Sequence, residues 1–469
     1  MPKSRKKLFI ENFLAYGAIN ALDKIVPLVM LPIVTRFLKN TADYGRFEMF
    51  NTIVGFGSSF AILGMYDAMF REYFEKDDTK YRSLVTSTAL RIVLISASIL
   101  SLILIVFSRY VSQLFLGNTV NGAIVIMAAL GVFLASLRTI VSAPTRMKNK
   151  RKVYIFSGIS YSLIYYLIAI FLIRNGFSYN GMIYGSLIAS LYLLFFFYFL
   201  NRFDFNLSLF NNHVSKELFK IGVPLIPVFV IYWAFQSMDK IMIANMLGLD
   251  QVGIYSIGAK VASVSNFIYM AFAGGWQYFA FSTMKDNDQV ELTSKVFEYL
   301  GVFSFFIFAI AILFNDFAFN IFFTGDYTKG STVFPYLFLS PLLLMLFQTA
   351  GNQLLVVKKT YLSTICLAGG LFANLILNYL MIPRFGIRGA ALATLIGYTI
   401  SVIAMIILTY KLSLTHIQSR FFGPVIAVVT VLMLVFLSQS HYTKYSSLII
   451  IFFIFIFYKN DLHKISLTN

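Results

Sequence analysis

The sequence predicts an all-α integral membrane protein of about fourteen transmembrane helices, arranged as two six-helix lobes related by a parallel duplication, plus two C-terminal helices. Three observations predict it: composition, the spacing of apolar runs, and self-similarity at one fixed offset. Of the 469 residues, 59% are hydrophobic and only 12% are charged, and the mean hydropathy is +0.78. A soluble globule carries about 25% charge, so this chain lacks the polar residues to cover a surface in water. That excludes a soluble enzyme, a nucleic-acid binder and a disordered scaffold.

A helix needs about 20 apolar residues to cross about 30 Å of hydrocarbon. Fourteen segments meet that need, near 10–36, 44–68, 84–107, 120–144, 153–173, 177–200, 221–247, 253–282, 296–323, 333–356, 361–382, 388–409, 421–438 and 445–458. The last is the shortest, with a solid run only from Leu448 to Tyr458. No connection is long enough for an extramembrane domain, and the longest, 201–220, falls mid-chain as a linker. The opening MPKSRKK precedes a long apolar span without a small-residue cleavage site, so a retained first helix with a basic anchor is expected.

The chain holds 38 Lys+Arg against 20 Asp+Glu, a net charge of +18. In a membrane protein, cytoplasmic loops collect Lys and Arg. With the N-terminus inside, the N-terminus, even-numbered loops and C-terminus hold 24 of these cations against 9 in the odd-numbered loops, including the cluster RMKNKRK at 146–152. Both termini are therefore expected in the cytoplasm.

The duplication runs at an offset of 208. Asp43-Tyr-Gly-Arg-Phe47 falls on Gln251-Val-Gly-Ile-Tyr255, so Gly45 meets Gly253. Gly117 meets Gly325, Lys150-Arg151 meets Lys358-Lys359, and the 180–188 stretch meets 388–396. Six helices per repeat is an even number, so the repeats enter the membrane from the same side, as in some two-lobed transporters. The expected division is an N-lobe at 1–208, a C-lobe at 209–416, and two further helices at 417–469.

Charges inside spans cost about 2.5–3.5 kcal/mol each on insertion scales, so they should face a wet interior or a partner. The cations are Lys24, Arg91, Arg138, Lys240 and Lys260, and the acids include Asp23, Glu48, Asp67, Asp239 and Glu298. Adjacent residues do not share a helix face, so the Asp23-Lys24 and Asp239-Lys240 dipeptides each need partners on other helices. They serve as inter-helix clamps, as ligand and ion contacts, or as side chains snorkelling to the interface. Arginine binds phosphate bidentately and keeps its charge in low dielectric. The five cations therefore suit an anionic substrate, with anchoring at helix ends as the alternative for Arg91 and Arg138. Pro27 and Pro32 in the first span, and Pro224 and Pro227 in the seventh, mark corresponding bending elements. Trp233 and Trp276, beside Gln236 and Gln277, are either glycan-stacking platforms or packing residues. Cys366 stands alone and the four histidines build no metal-ligand spacing, so no metal is expected. No phosphate-binding glycine loop and no nucleophile motif occurs, so the chain is not expected to be an enzyme.

The stretches ENFLAYGAINALDKIVPLVMLPIVTRFL, DYGRFEMFNTIVGF, VPLIPVFVIYWAFQSMDKIMIANMLGLDQVGIYSIGAKVAS and FGIRGAALATLIGY resemble the Wzx-type polysaccharide flippases. That family lies in the superfamily of multidrug, oligosaccharidyl-lipid and polysaccharide exporters, with a MATE/MurJ-like fold. The resemblance implies a flippase that moves an undecaprenyl-diphosphate-linked oligosaccharide repeat unit across a bacterial inner membrane, for O-antigen (lipopolysaccharide) or capsule assembly. It implies ion-coupled alternating access, driven by an H+ or Na+ gradient, with no other cofactor. Lys24, Arg91, Arg138, Lys240, Lys260, Trp233 and Trp276 are the candidates for the diphosphate and glycan. Asp23, Glu48, Asp67 and Asp239 are the candidates for ion coupling. Expected partners are the lipid-linked substrate, membrane lipid, an O-antigen polymerase and a chain-length regulator, with no nucleic acid. A lipid II flippase and a cation drug antiporter of the same fold are the alternatives. A membrane polymerase or ligase would need large extracytoplasmic loops, which the chain lacks.

Overall fold

The computed structural model describes residues 26–38, 40–117, 121–206, 208–282, 288–438 and 445–466. Every regular element among them is helical. In chain order these are α1 (Val26–Phe37), α2 (Thr41–Ala61), α3 (Met65–Tyr73), α4 (Thr79–Val106), α5 (Ser108–Leu116), α6 (Gly122–Met147), α7 (Arg151–Leu172) and α8 (Ser178–Leu200). They continue with α9 (Asn212–Gly222), α10 (Ile226–Met246), α11 (Leu249–Ala262), α12 (Ser265–Ser282), α13 (Gln289–Phe322) and α14 (Phe334–Val356). The last are α15 (Tyr361–Lys411), α16 (Phe422–Leu437) and α17 (Ser447–Ser466).

Eight helical stretches are long and apolar enough to cross a membrane, and α2–α3, bent by 47°, makes a ninth. Two of the eight, Arg151–Leu200 and Tyr361–Lys411, run 50 and 51 residues. At 1.5 Å per residue each would span about 75 Å if straight, far beyond one bilayer. Both instead reverse at residues with positive φ, and each folds into a hairpin of two crossings. Ser178 (φ 47°, ψ −133°) turns the first and Gly386 (φ 60°, ψ −145°) turns the second. These two residues are 208 apart. Gly117 (φ 63°) and Gly325 (φ 60°), also 208 apart, share a left-handed turn. The duplication seen in the sequence is thus repeated in the backbone. With the shorter apolar helices Val26–Phe37 and Ser447–Lys459, and the broken pair α11–α12, the architecture is compatible with fourteen crossings.

Helix starts follow ordinary capping chemistry. The side chains of Asn40, Asp78, Asn121 and Asn211 accept from backbone N–H groups of the first turns of α2, α4, α6 and α9. Pro224 and Pro227 fall in first-turn positions of a 3₁₀ turn and of α10, where a missing N–H costs nothing, and they split the seventh span into α9 and α10.

The described chain forms two compact units, one of Leu22–Ser256 and the other built on Ile257–Asn469. In the first, α3, α4, α6, α8 and α9 close around a core of Met65, Met69, Val93, Ile140, Val141, Phe197 and Leu218. Asn201, 1% exposed, donates to the Val141 carbonyl (3.0 Å) and to Thr145 (2.8 Å), pinning α8 to α6. In the second unit, Asn374 and Asn378 are fully buried inside the α15 hairpin, and Asn374 donates to Thr394 on the opposite arm (3.3 Å). Buried Glu298 of α13 takes Arg420 (2.6 Å) and Tyr458 (2.7 Å), while Arg420 also holds Asp461 (2.6 Å). This cluster ties α16 and α17 to α13.

Candidate functional site

Within the Leu22–Ser256 unit, α2 packs antiparallel against α10, and the Gly64 turn that follows α2 packs against the end of α9. Glu48 meets Lys240, then Gly55 meets Trp233, then Gly64 meets Gly222. Seven residues separate Glu48 from Gly55, two helical turns or about 10.5 Å. A Cβ on Gly55 would lie 3.5 Å from the Trp233 indole, and one on Gly64 would overlap the Gly222 carbonyl.

The ion pair is the chemical centre of this seam. Lys240 Nζ stands 2.8 Å from Glu48 Oε2, with the Glu48 side chain 2% exposed and that of Lys240 17% exposed. Both lie about 10 Å from their helix ends, well inside the apolar span. Tyr44, one turn before Glu48, and Tyr165 of α7 lie in the field of its carboxylate. The neighbouring acid, Asp239, is buried and accepts the Tyr255 hydroxyl of α11 at 2.6 Å. Adjacent residues of α10 thus reach two different helices, as their angular separation requires.

At the start of α2 the repeat-equivalent glycines touch. A Cβ on Gly45 would run into the Leu249 carbonyl, and a Cβ on Gly253 would run into the Thr41 carbonyl. Each would also lie 3.2 Å from the amide nitrogen of the other glycine. Thr41 and Leu249, like Gly45 and Gly253, are 208 apart, so the contact is reciprocal. Beside it, Asp43 pairs with Arg46 (2.8 Å) and accepts Ser178 Oγ (2.5 Å), while Arg46 lies over the Tyr179 ring (5.3 Å). The α7–α8 reversal is thereby joined to the start of α2.

The remaining candidates are dispersed. Arg138 is partly buried, with its guanidinium 5.1 Å from the Tyr161 ring centroid. Arg91 is exposed and lies over Phe210, also at 5.1 Å. Asp67 on α3 and Lys260 on α11 are exposed. Trp233 packs on Phe56 (4.7 Å), and its indole Nε1 is buried without a hydrogen-bond acceptor. Trp276, in the second unit, is 2% exposed and stacks on Phe272 (5.5 Å). Asp23 and Lys24 lie outside the described residues. The structure therefore brings Glu48, Lys240 and Asp239 to one place. It adds Tyr44, Tyr165 and Tyr255, which their composition alone does not distinguish from the other tyrosines. The offset of 208 paired Gly45 with Gly253 in the sequence, but that they touch is shown only by the fold. Among the described residues no cluster of three or more His, Cys, Asp or Glu is suited to a metal.

These features define a multi-pass α-helical membrane protein with a charged site inside its spans. The chain belongs to the polysaccharide biosynthesis protein family, whose model matches residues 33–331. It is 24% identical over 332 residues to an uncharacterized membrane protein of Methanocaldococcus jannaschii, covering 65% of this chain and 64% of that relative's length. The lipid II flippase MurJ, in an inward closed conformation, aligns with a TM-score of 0.72 at 14% identity, over 96% of this chain and 100% of that one. A Vibrio cholerae MATE transporter, VcmN, aligns at 0.62 with 14% identity, over 89% and 99%. An outward-facing multidrug resistance MATE transporter of the MOP superfamily aligns at 0.59 with 14% identity, over 87% and 95%. At such identity the likeness carries the fold alone, which is shared with MurJ and the MATE transporters.

Proposed function

We propose that the protein is a flippase for undecaprenyl-diphosphate-linked oligosaccharide repeat units, of the Wzx type, acting by ion-coupled alternating access between lobes 1–208 and 209–416. The observation that carries the reading is Lys240: a lysine deep in an apolar span, held by a buried carboxylate that can be exchanged for another anion. Membership of a polysaccharide biosynthesis family supports a glycan-bearing cargo, and the MOP fold supports a transporter. Lys240 would take the diphosphate, with Lys24, Arg91, Arg138 and Lys260 as further cations along the path. Trp233, whose indole N–H lacks an acceptor, is suited to a sugar hydroxyl, and Trp276 is the matching ring in the other unit. The prenyl tail would stay in lipid. Asp23, Glu48, Asp67 and Asp239 are the carboxylates from which an H+ or Na+ site would be drawn. The membrane would be the bacterial inner membrane, with both termini cytoplasmic. A polymerase and a chain-length regulator for O-antigen would use the product.

A second reading, lipid II as cargo, is favoured by the likeness to MurJ, and it shares the diphosphate chemistry. A cation drug antiporter would use Glu48 and Asp239 directly, but Lys240 already neutralises Glu48. The test is deletion and complementation in the native cell, with surface polysaccharide read on a gel and lipid-linked repeat units assayed by leaflet. Lost polysaccharide with cytoplasmic-side accumulation is expected, and Lys240→Ala should reproduce it at normal expression. Intact polysaccharide with new sensitivity to cationic drugs would transfer the assignment to the antiporter.

A further inference from the structure

Five cations fall within 146–152, at the reversal between α6 and α7, and one of them is held unlike the others. Lys148 is neutralised by Asp204 (2.5 Å), and Arg151 Nε donates to Asn149 (2.7 Å). Lys150 and Lys152 are exposed. Arg146, in the last turn of α6, instead donates through Nη1 to the Tyr66 hydroxyl of α3 (2.7 Å) and lies over the Tyr154 ring of α7, 5.2 Å from its centroid. Three helices meet here for local reasons. The 47° break at Leu63 and Gly64, both at positive φ, turns α3 away from the line of α2. The reversal at Asn149 (φ 55°) brings the first turn of α7 back alongside α6.

A ring face and a hydroxyl fix the plane of a guanidinium without neutralising it. Among the described residues no carboxylate forms an ion pair with Arg146. Asp67, beside Tyr66, is exposed, stands beyond ion-pair distance and is outnumbered by the exposed cations of the reversal. Arginine carries five N–H donors, and Tyr66 takes one of them. The Tyr66 oxygen accepts in that bond, so its own proton is left to donate. A guanidinium fixed in this way suits the oxygens of a phosphate, which it can hold bidentately. The depth is that of a headgroup. The 26 residues of α6 make about 39 Å of helix, more than the ~30 Å of hydrocarbon, so its last turn lies at the polar edge of the membrane. Tyr66 is also remote from the Glu48–Lys240 pair, on the order of 25 Å further along α2 and α3.

We propose that Arg146, Tyr66 and Tyr154 form a binding site for a lipid phosphate, in the headgroup layer of the leaflet that the 146–152 cations face. The site goes beyond the flippase reading and does not rest on it. Two kinds of membrane lipid present this chemistry, a phospholipid and a polyprenyl diphosphate, and the site recognises what they share.

The test uses the purified full-length protein in detergent, with bound lipid counted by native mass spectrometry. The probes are undecaprenyl diphosphate and phosphatidylglycerol, each compared with diacylglycerol, which has no phosphate. Each is run at low salt and at about 0.5 M salt, where attraction between exposed charges is screened. Arg146→Lys keeps the charge but loses the planar fork. It should bind a phosphate lipid about 10-fold more weakly than wild type at both salts, and Arg146→Ala at least as weakly. Tyr66→Phe should weaken binding by a smaller factor. Lys150→Ala removes an equal charge from the same reversal and should match wild type at high salt. Loss confined to undecaprenyl diphosphate would make the site a docking point for a polyprenyl diphosphate. Loss for phosphatidylglycerol, alone or as well, would assign it to membrane phospholipid. Wild-type binding of both probes by Arg146→Lys would overturn the proposal. So would equal weakening by Lys150→Ala and Arg146→Ala at both salts, which is diffuse attraction, or a wild type that prefers neither probe to diacylglycerol. Arg146 and Lys150 are exposed, so these variants should melt with the wild type. The flippase reading, which is tested at Lys240, stands or falls separately.

Discussion

Replacing Gly45 by alanine adds one methyl group where the chain has left no room for it. The new Cβ would fall on the Leu249 carbonyl, an atom of the α11 backbone that cannot swing aside as a side chain could. Overpacking of this kind costs about 1–3 kcal/mol. Alanine is also a better helix former than glycine by about 0.5–1 kcal/mol, but that gain is present whether or not α2 and α11 touch. It therefore cancels from the equilibrium between the touching and parted helices. A bias of about 1–3 kcal/mol moves that equilibrium about 5–150-fold toward the parted state. Gly253→Ala should match it, since its Cβ meets the Thr41 carbonyl by the same geometry. The assay is alkylation of a cysteine at position 41, in a Cys366→Ala background, by a bulky water-soluble maleimide in nanodiscs. Thr41 is 8% exposed, so labelling should be slow in the parent and faster by the stated factor in either alanine variant. Thermal stability should hold or fall slightly, since the overpacking equals or exceeds the helix-propensity gain. Unchanged labelling in both variants would refute the idea that this crossing opens and closes.

Three further outcomes follow from named contacts. Arg420→Ala leaves Glu298, 2% exposed, without its cation, and should destabilise the α13–α16–α17 packing by about 3 kcal/mol, read as a lower unfolding temperature; an unchanged unfolding temperature would contradict it. Ser178→Ala keeps a positive φ and loses the hydrogen bond to Asp43, so it should cost about 1.5–3 kcal/mol. Ser178→Gly loses the same bond but relieves backbone strain of about 1–3 kcal/mol, so it should be the more stable of the two in a side-by-side melt. Asp239→Asn keeps an acceptor for the Tyr255 hydroxyl and should be folded, and transport lost in it despite a normal melting profile would assign Asp239 to function rather than to packing.

The fold was largely legible because a bilayer leaves few choices: apolar length sets the spans, and backbone groups must be satisfied within each helix. The duplication was legible for a similar reason. Turn residues such as Gly117 and Gly325 need a left-handed backbone, and glycine adopts it without penalty. Ser178 escaped notice because serine does not advertise a positive φ, although its offset partner is Gly386. The site was legible only in its ingredients. That Glu48 and Lys240 carry charge inside spans is plain from composition, but that they meet depends on the antiparallel seam of α2 and α10. Gly55 lies against Trp233 within that seam, and Gly64 meets Gly222 just beyond it, at intervals no single helix reveals. Likewise Arg420 reads as a loop cation until α13 and α17 bring two carboxylates to it.

Under the proposed function, this membrane protein moves a lipid-linked diphosphate oligosaccharide from one leaflet to the other. The most direct measurement reconstitutes it in liposomes with a fluorescent undecaprenyl-diphosphate oligosaccharide and follows quenching by a membrane-impermeant reductant. Protein-dependent loss of the inner-leaflet signal, sharpened by an H+ or Na+ gradient and abolished by Lys240→Ala, is the expected result. Quenching that stops at the outer leaflet as in protein-free liposomes, while the same vesicles extrude an organic cation, would contradict it.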